Sequence, residues 1–383
     1  MSLFPSRKDI VLPQTNPTGT NAQTIRFLVK QERRRLAALT FKLRLTTAAT
    51  AITGAAWGGL ASVVKEIRVV INDGPAGGGQ RNVVQVSGIG LLSFIRQIGV
   101  NLDRQTQVGY ASSPGSIPLS TTVDLSFFIP LRNPMFQEPL GNVLSLPLSS
   151  KFMATDTYVE VDLWDIGAAG TVFTTNPPSY ASTQPALLQT HLQEVDEAFP
   201  YLRSEFRTDT GFSTNAIANV PYEFTSGGFI TGFLVQGFSA NLTNTVTRST
   251  LLSSGGQFRL EYGREVLMKT DEAFQQALND VSVPLVYPDN AAAIATGGVL
   301  NSRMFTGESF FDFMTDMPNT DAFSLASVPD LNTDALGGDK FRLVFNDLGS
   351  STRPVHITYH KLLSSRDQIL QVVNGFAKKG ATA

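Results

Sequence analysis

"DLSFFIPLRNP" (124–134) decides the fold. With Val123 before it, the stretch sends Val123, Leu125, Phe127 and Ile129 to one face and Asp124, Ser126 and Phe128 to the other, then stops at a proline, which marks a half-buried strand entering a loop. "ESFFDFMTDMP" (308–318) reads the same way. The echo has company at nearly constant spacing. "SFF" recurs from 126 to 309, an offset of 183; "VLSLP" at 143 meets "LASVP" at 325, an offset of 182; "YVEVDL" at 158 meets "FRLVFN" at 341, again 183. Upstream, "FKLRLTT" at 41 resembles "FLVQGFS" at 233, an offset of 192. Ordered matches at one offset indicate a duplicated β domain, its copies joined near Pro200.

Period-2 alternation dominates the rest of the chain. Phe41, Leu43 and Leu45 oppose Lys42 and Arg44, and Ile67, Val69 and Ile71 oppose Glu66 and Arg68. Val159, Val161 and Leu163 oppose Glu160 and Asp162, with later copies at Phe258–Tyr262 and Phe341–Phe345. Turn-forming clusters such as "NDGPAGGG", "SSPGS" and "TNPPS" separate these runs. Helical spacing is confined to four short places. One follows a Ser87 cap (Leu91, Phe94, Ile95, Ile98) and one follows a Thr270 cap (Phe274, Leu278, Val281). A basic one near the front places Ile25, Leu28, Val29 and Leu36 on one face, away from Arg26, Lys30, Arg33, Arg34 and Arg35. The last is "SSRDQILQVVNGF", ending at Gly375.

Bulk composition bounds the function. A chain of 383 residues exceeds one comfortable core, so two domains are expected. Charged residues make up 16%, well under the usual quarter, so the surface leans on neutral polar groups or is covered by neighbours. A net charge of -2 gives no global attraction to polyanions, and the absence of cysteine removes disulfides, thiolate metal sites and a thiol nucleophile. The first residues lack the apolar run of a secretory signal, so assembly in the cytosol is expected. Residues 45–64 carry no charge over a bilayer-spanning length, but four Thr and three Gly dilute them and they read as strand, loop, strand.

The search for chemistry is mostly negative. His356 and His360 lie four apart on a β-branched, aromatic stretch; on a strand that is about 13 Å, too far for one ion. His191 has no partner visible in the sequence. "GPAGGGQRN" (74–82) lacks the Gly-Lys-Ser/Thr of a phosphate loop, and Asp312, Asp316 and Asp321 miss the spacing of a calcium loop. No G-x-S-x-G elbow supports a Ser/His/Asp triad. Glu194, Asp196 and Glu197 form the densest acidic cluster and are read as a solvated strand end. The expectation is no catalytic residue, no cofactor and no metal.

Beyond these readings, the pattern resembles a family. "VVKEIRVVINDG" followed by "VVQVSGIGLLSFIRQIG", "VDLSFFIPL" followed by "LGNVLSLP" and "YVEVDL", and the closing "ITYHKLLSSRDQIL" look like the double jelly-roll major capsid proteins of tectivirus-like, membrane-containing icosahedral bacteriophages. The resemblance implies an all-β fold of two tandem jelly-roll sandwiches with short helices in loops and at the termini. It divides the chain into an N-terminal arm with a basic helix (1–36), a first roll (37–199), a second roll (200–370) and a tail (371–383). It further implies a pseudo-hexagonal homotrimer that contacts neighbouring trimers, penton or minor capsid proteins and an internal membrane, with no sequence-specific nucleic-acid binding. Arg26, Lys30, Arg33, Arg34, Arg35, Lys378 and Lys379 are then the expected membrane-facing or inter-trimer contacts, in a virion capsid assembled in the host cytoplasm. Two other functions compete: a carbohydrate-binding viral spike or adhesin of two sandwiches, and a glycoside hydrolase on a β-sandwich using paired carboxylates.

Overall fold

The computed structural model describes residues 7–363 apart from 53–58, 74–78, 99, 101, 104–105, 107–118, 133–143, 168–171, 174, 181–184, 196–200, 215–218, 226, 238–251, 253–255, 283–306, 314–339 and 347–352.

Alternation becomes strands where it was expected. The first half supplies β1 (Arg7–Val11), β2 (Gln23–Val29), β3 (Arg34–Thr46), β4 (Val64–Asp73), β5 (Gly79–Val86) and β6 (Thr122–Pro130), then the short β7 (Leu146–Pro147), β8 (Thr157–Leu163), the short β9 (Ser179–Tyr180) and β10 (Ala186–Val195). Helix α1 (Gly88–Gln97) lies between β5 and β6. The second half supplies β11 (Ser204–Thr214), β12 (Val220–Glu223), β13 (Phe229–Gly237), β14 (Gln257–Tyr262), β15 (Glu265–Thr270), β16 (Glu308–Asp312), β17 (Phe341–Asn346) and β18 (Arg353–Leu362). Helix α2 (Glu272–Ser282) lies between β15 and β16.

Strand order identifies the topology. With the two short strands set aside, the first half pairs β1-β10-β3-β6 in one sheet and β5-β4-β8-β2 in another. The second half pairs β11-β18-β13-β16 and β15-β14-β17-β12. Numbered one to eight within each half, both give the orders 1-8-3-6 and 5-4-7-2, which is the jelly roll: two four-stranded sheets facing each other, with the first and last strands adjacent. In each copy the helix sits between the fifth and sixth strands.

Each sandwich is filled by the inward residues of its two sheets. In the first, Phe27 of β2 meets Phe41 of β3 edge-on at 5.9 Å, and Phe41 meets Phe127 at 6.0 Å. In the second, Phe233 stacks on Phe311 at 4.6 Å while Phe258 approaches Phe311 from the opposite sheet at 5.5 Å.

A parallel contact of β5 with β11, Val84 beside Phe206 and Gln85 beside Arg207, joins the two halves into one eight-stranded sheet. Because that contact is parallel, both rolls stand the same way up. The start of β11, the end of β18 and the β2–β3 turn therefore share one end of the molecule with the start of β5. There Arg81 donates to Asp73 at 2.7 Å and to the Ser204 carbonyl at 3.4 Å.

Two expectations need correction. The basic front helix does not form. Ile25, Phe27 and Val29 alternate inward on β2, which pairs with β8 over its whole length, and β1 pairs with β10, so Arg7–Val11 and Gln23–Val29 are strands of the first roll rather than a helical arm. The second helix is capped by Asp271, not Thr270: Asp271 Oδ1 accepts from the Phe274 amide at 2.7 Å. The Ser87 cap stands as read, its hydroxyl accepting from the Gly90 amide at 3.1 Å. The helix expected in 364–376 lies outside the described residues. No helix among the described residues is long and apolar enough to cross a membrane.

Candidate functional site

The most constructed place in the molecule is the joint between the rolls. Strand β13 is buried along its entire length, because one face fills the second core and the other meets the first roll. Leu234 and Phe310 project from this outer face, with Phe206, Thr208 and Thr358 beside them, and α1 lies over the group. Phe94 of α1 packs on Phe206 at 4.8 Å and on Phe310 at 5.3 Å. One turn earlier, Gly90 comes so close that a Cβ there would lie 2.5 Å from Thr358 Oγ1 and 3.0 Å from Thr208 Oγ1. Only glycine fits such an approach.

Several polar groups in this joint are paired. Ser93 Oγ donates to Glu308 Oε1 at 2.6 Å, and Gln236 Nε2 donates to Glu308 Oε1 at 3.0 Å. The Ser87 amide donates to Thr208 Oγ1 at 3.2 Å. Burying a carboxylate such as Glu308 is costly unless donors surround it, and here they come from both rolls. His356 and His360 lie on the same face of β18 as Thr358, both buried. Burial pushes His356 down to about 3 and His360 down to about 4, so both are neutral near pH 7.

The basic residues singled out in the sequence scatter. Arg26, on β2, is exposed; its Nε donates to Glu160 at 2.8 Å and its guanidinium sits 5.1 Å from the Tyr158 ring centroid. Lys30 and Arg33 are exposed in the β2–β3 turn, and Arg34 is half-buried. Arg35 is fully buried in the first roll, so its expected role as a surface contact is corrected: its backbone pairs with Pro147 of β7 inside the sandwich. Lys378 and Lys379 lie outside the described residues.

His191, for which the sequence offered no partner, faces Asp9 and Glu32, and one ligand atom from each lies within 4.8 Å of the others. The cation already there is Arg7, whose guanidinium reaches Glu32 at 2.7 Å and Asp9 at 2.8 Å. Since Arg7 balances part of the carboxylate charge, the cluster acts as an ionic latch holding β1 to the β2–β3 turn and β10. His191 is itself fully buried, and desolvation lowers its pKa against the opposing pull of Glu32 and Asp9. No sequence signal marked this cluster, because its members are 23 and 159 residues apart.

The remaining chemical candidates do not converge. His356 and His360 lie on strand β18, as expected. The side chains of Glu194, Asp196 and Glu197 lie outside the described residues, as do Asp316 and Asp321.

No protein-family model matches the sequence, and no curated protein matches it. Solved structures do. The major capsid protein P2 from Bacteriophage PM2 superposes with a TM-score of 0.53 at 9% identity, over 94% of this chain and 98% of that one. The STIV MCP gives 0.54 at 12% identity, over 95% and 99%. PBCV-1 VP54, fitted into a reconstruction of the virophage Sputnik, gives 0.56 at 10% identity, over 94% of both. These neighbours are double jelly-roll major capsid proteins, and the superpositions run nearly end to end, so the chain has the double jelly-roll fold.

Proposed function

We propose that the chain is the major capsid subunit of an icosahedral virus with an internal membrane, working by self-association into pseudo-hexagonal trimers and without catalysis. The observation that carries this reading is the pair of jelly rolls standing the same way up, joined through one shared sheet. Such a block has one end for the inside of a shell and one for the outside, and its flanks remain for neighbours. The fold held in common with capsid proteins over nearly the whole chain supports the same reading. So does the low charge, since the cores of large obligate interfaces are depleted of charge.

The division of the chain near Pro200 into two rolls, with a tail at 371–383, is part of this proposal. So are contacts with neighbouring trimers, penton and minor capsid proteins, and assembly in the host cytoplasm into a virion capsid. The membrane-facing set narrows to Lys30, Arg33 and Arg34 at the end where the chain leaves β18, with Lys378 and Lys379 of the tail. Each cation near an anionic bilayer contributes about 1 kcal/mol of attraction.

Sedimentation equilibrium of the purified chain tests the reading. A trimer is expected at micromolar concentration, and a stable monomer there overturns it.

A further inference from the structure

Helix α2 breaks the rule for a surface helix. After its cap, the exposed residues of its first two turns are Ala273, Phe274, Ala277 and Leu278, with Phe274 58% exposed and Leu278 42%. A helix facing water carries polar groups there; this one presents an apolar face. The first roll has a second exposed apolar place at Ile10 (70%) and Leu12 (56%), on and just beyond β1.

The internal duplication says what these two places are for. Both helices are capped alike, so Ser87 corresponds to Asp271, Gly90 to Phe274, and Phe94 to Leu278. The same offset of 184 (87 to 271) carries the outward Ser126 of β6 onto the outward Phe310 of β16. Strand register completes the map. Ser126 pairs with Lys42, and Lys42 with Ala186; in the second roll Phe310 pairs with Leu234, and Leu234 with Thr358. One step along, Ile10 beside Leu188 corresponds to Phe206 beside His360, which carries Leu12 onto Thr208. Inside the chain, Gly90 and Phe94 of α1 cover Thr208, Thr358, Phe206 and Phe310. The equivalents of the helix face and of Phe206 and Thr208 are the two exposed apolar places, while Lys42, the equivalent of Leu234, lies between Ser126 and Ala186 and is ion-paired with Asp124 at 3.6 Å.

We infer that α2 of one copy docks on the outer sheet face of the first roll of a second copy, Phe274 over Leu12 and Ala186, and Leu278 over Ile10 and Ser126. Side-chain volume shifts along the helix between the two joints. Glycine on α1 meets two threonines and its Phe94 meets two phenylalanines, whereas on α2 the large Phe274 faces Leu12 and Ala186 and the smaller Leu278 faces Ile10 and Ser126. Polar demands differ as well. Ser93 supplies a bond that Glu308 uses, while its counterpart Ala277 supplies none, and the counterpart of Glu308, Asp124, is already held by Arg44 at 2.5 and 2.7 Å. The contact is heterologous, so repeated copies form a ring or a filament. The inference rests on the trimeric reading above, which requires the ring to close at three.

The chain has no cysteine, which gives a clean cross-linking background. Leu12→Cys, carrying a mass tag, is co-expressed with untagged Phe274→Cys, and the assemblies are oxidised. A disulfide-linked pair of one tagged and one untagged chain is expected. In parallel, Phe274→Asp and Ile10→Asp are each expected to give monomers with the wild-type far-ultraviolet circular dichroism spectrum, while Val266→Asp, at another exposed apolar position, leaves the oligomer intact. Trimers that survive both aspartates and form no mixed cross-link overturn this docking and leave the trimeric reading standing. A wild-type chain that is monomeric throughout overturns both.

Discussion

The ring of Phe94 meets that of Phe310 at 5.3 Å and nearly at right angles (84°), and the two residues belong to different jelly rolls. The duplicated chain is thereby one body: the helix between the fifth and sixth strands of the first roll is also the cover for the back of the second. Truncating Phe94 to alanine removes a buried aromatic that touches both rolls, so a loss of about 3–5 kcal/mol is expected. Equilibrium urea unfolding of the full chain measures it, and an unchanged midpoint would show that the rolls do not depend on this contact.

Gly90→Val tests the close approach beside it. A Cβ at this position already falls 2.5 Å from Thr358 Oγ1, and a branched side chain has no room unless α1 lifts from the sheet. A destabilisation of about 1–3 kcal/mol is expected from overpacking, with faster amide exchange in β18 and β11 than in β3. Equal protection in all three strands would mean that the joint absorbs the strain elsewhere.

Much of this architecture was legible from residue spacing, and the errors have physical causes. The offsets of 183 and 192 paired the correct strands: β6 with β16, β8 with β17 and β3 with β13. Yet 183 is out by one residue at this strand: it set inward Phe127 against outward Phe310, whereas 184 sets it against inward Phe311, and a slip of one residue moves a side chain to the other face of a sheet. Helical spacing misled at the front because Ile25, Leu28, Val29 and Leu36 straddle the turn between β2 and β3; within 23–29 alone, Ile25, Phe27 and Val29 show the strand period. The joint between the rolls was hidden for a different reason. Period-2 reading assumes one wet face, and β13, "FITGFLVQG", is dry on both. The ionic latch was illegible because its three parts meet only through the first strand of the roll lying beside the last.

That latch predicts a local rather than a global effect. Arg7 is 41% exposed, and ion pairs open to water are screened and add little to global stability. Arg7→Ala is therefore expected to leave the unfolding midpoint nearly unchanged while the amides of residues 8–11 exchange faster, as β1 loosens from β10. Because Ile10 rides on β1, the same variant should also weaken self-association. Unaltered exchange in residues 8–11 would show that backbone pairing alone holds the strand.

Acid should act at the joint. His356 and His360 are held neutral to about pH 3 and about pH 4 by burial, whereas in the unfolded chain both take up protons near the ordinary value of 6.5. Above that value neither state binds the extra protons and stability does not depend on these groups. As pH falls below it, the unfolded chain binds protons that the folded one refuses, so stability declines by about 1.4 kcal/mol per pH unit for each histidine, until the folded pKa is reached. Neighbouring carboxylates contribute their own slope below pH 5, so the informative window is pH 6.5 to 5. Urea midpoints measured there should fall steadily for the wild type, less for His356→Gln or His360→Gln, and least for the double variant. The two substitutions remove a titration rather than a fold, provided glutamine is tolerated at the site, which the midpoint at pH 8 reports directly. A wild-type curve that is flat from pH 6.5 to 5 would mean that these imidazoles gain protons without cost, and that the face of β18 toward the first roll is open to water.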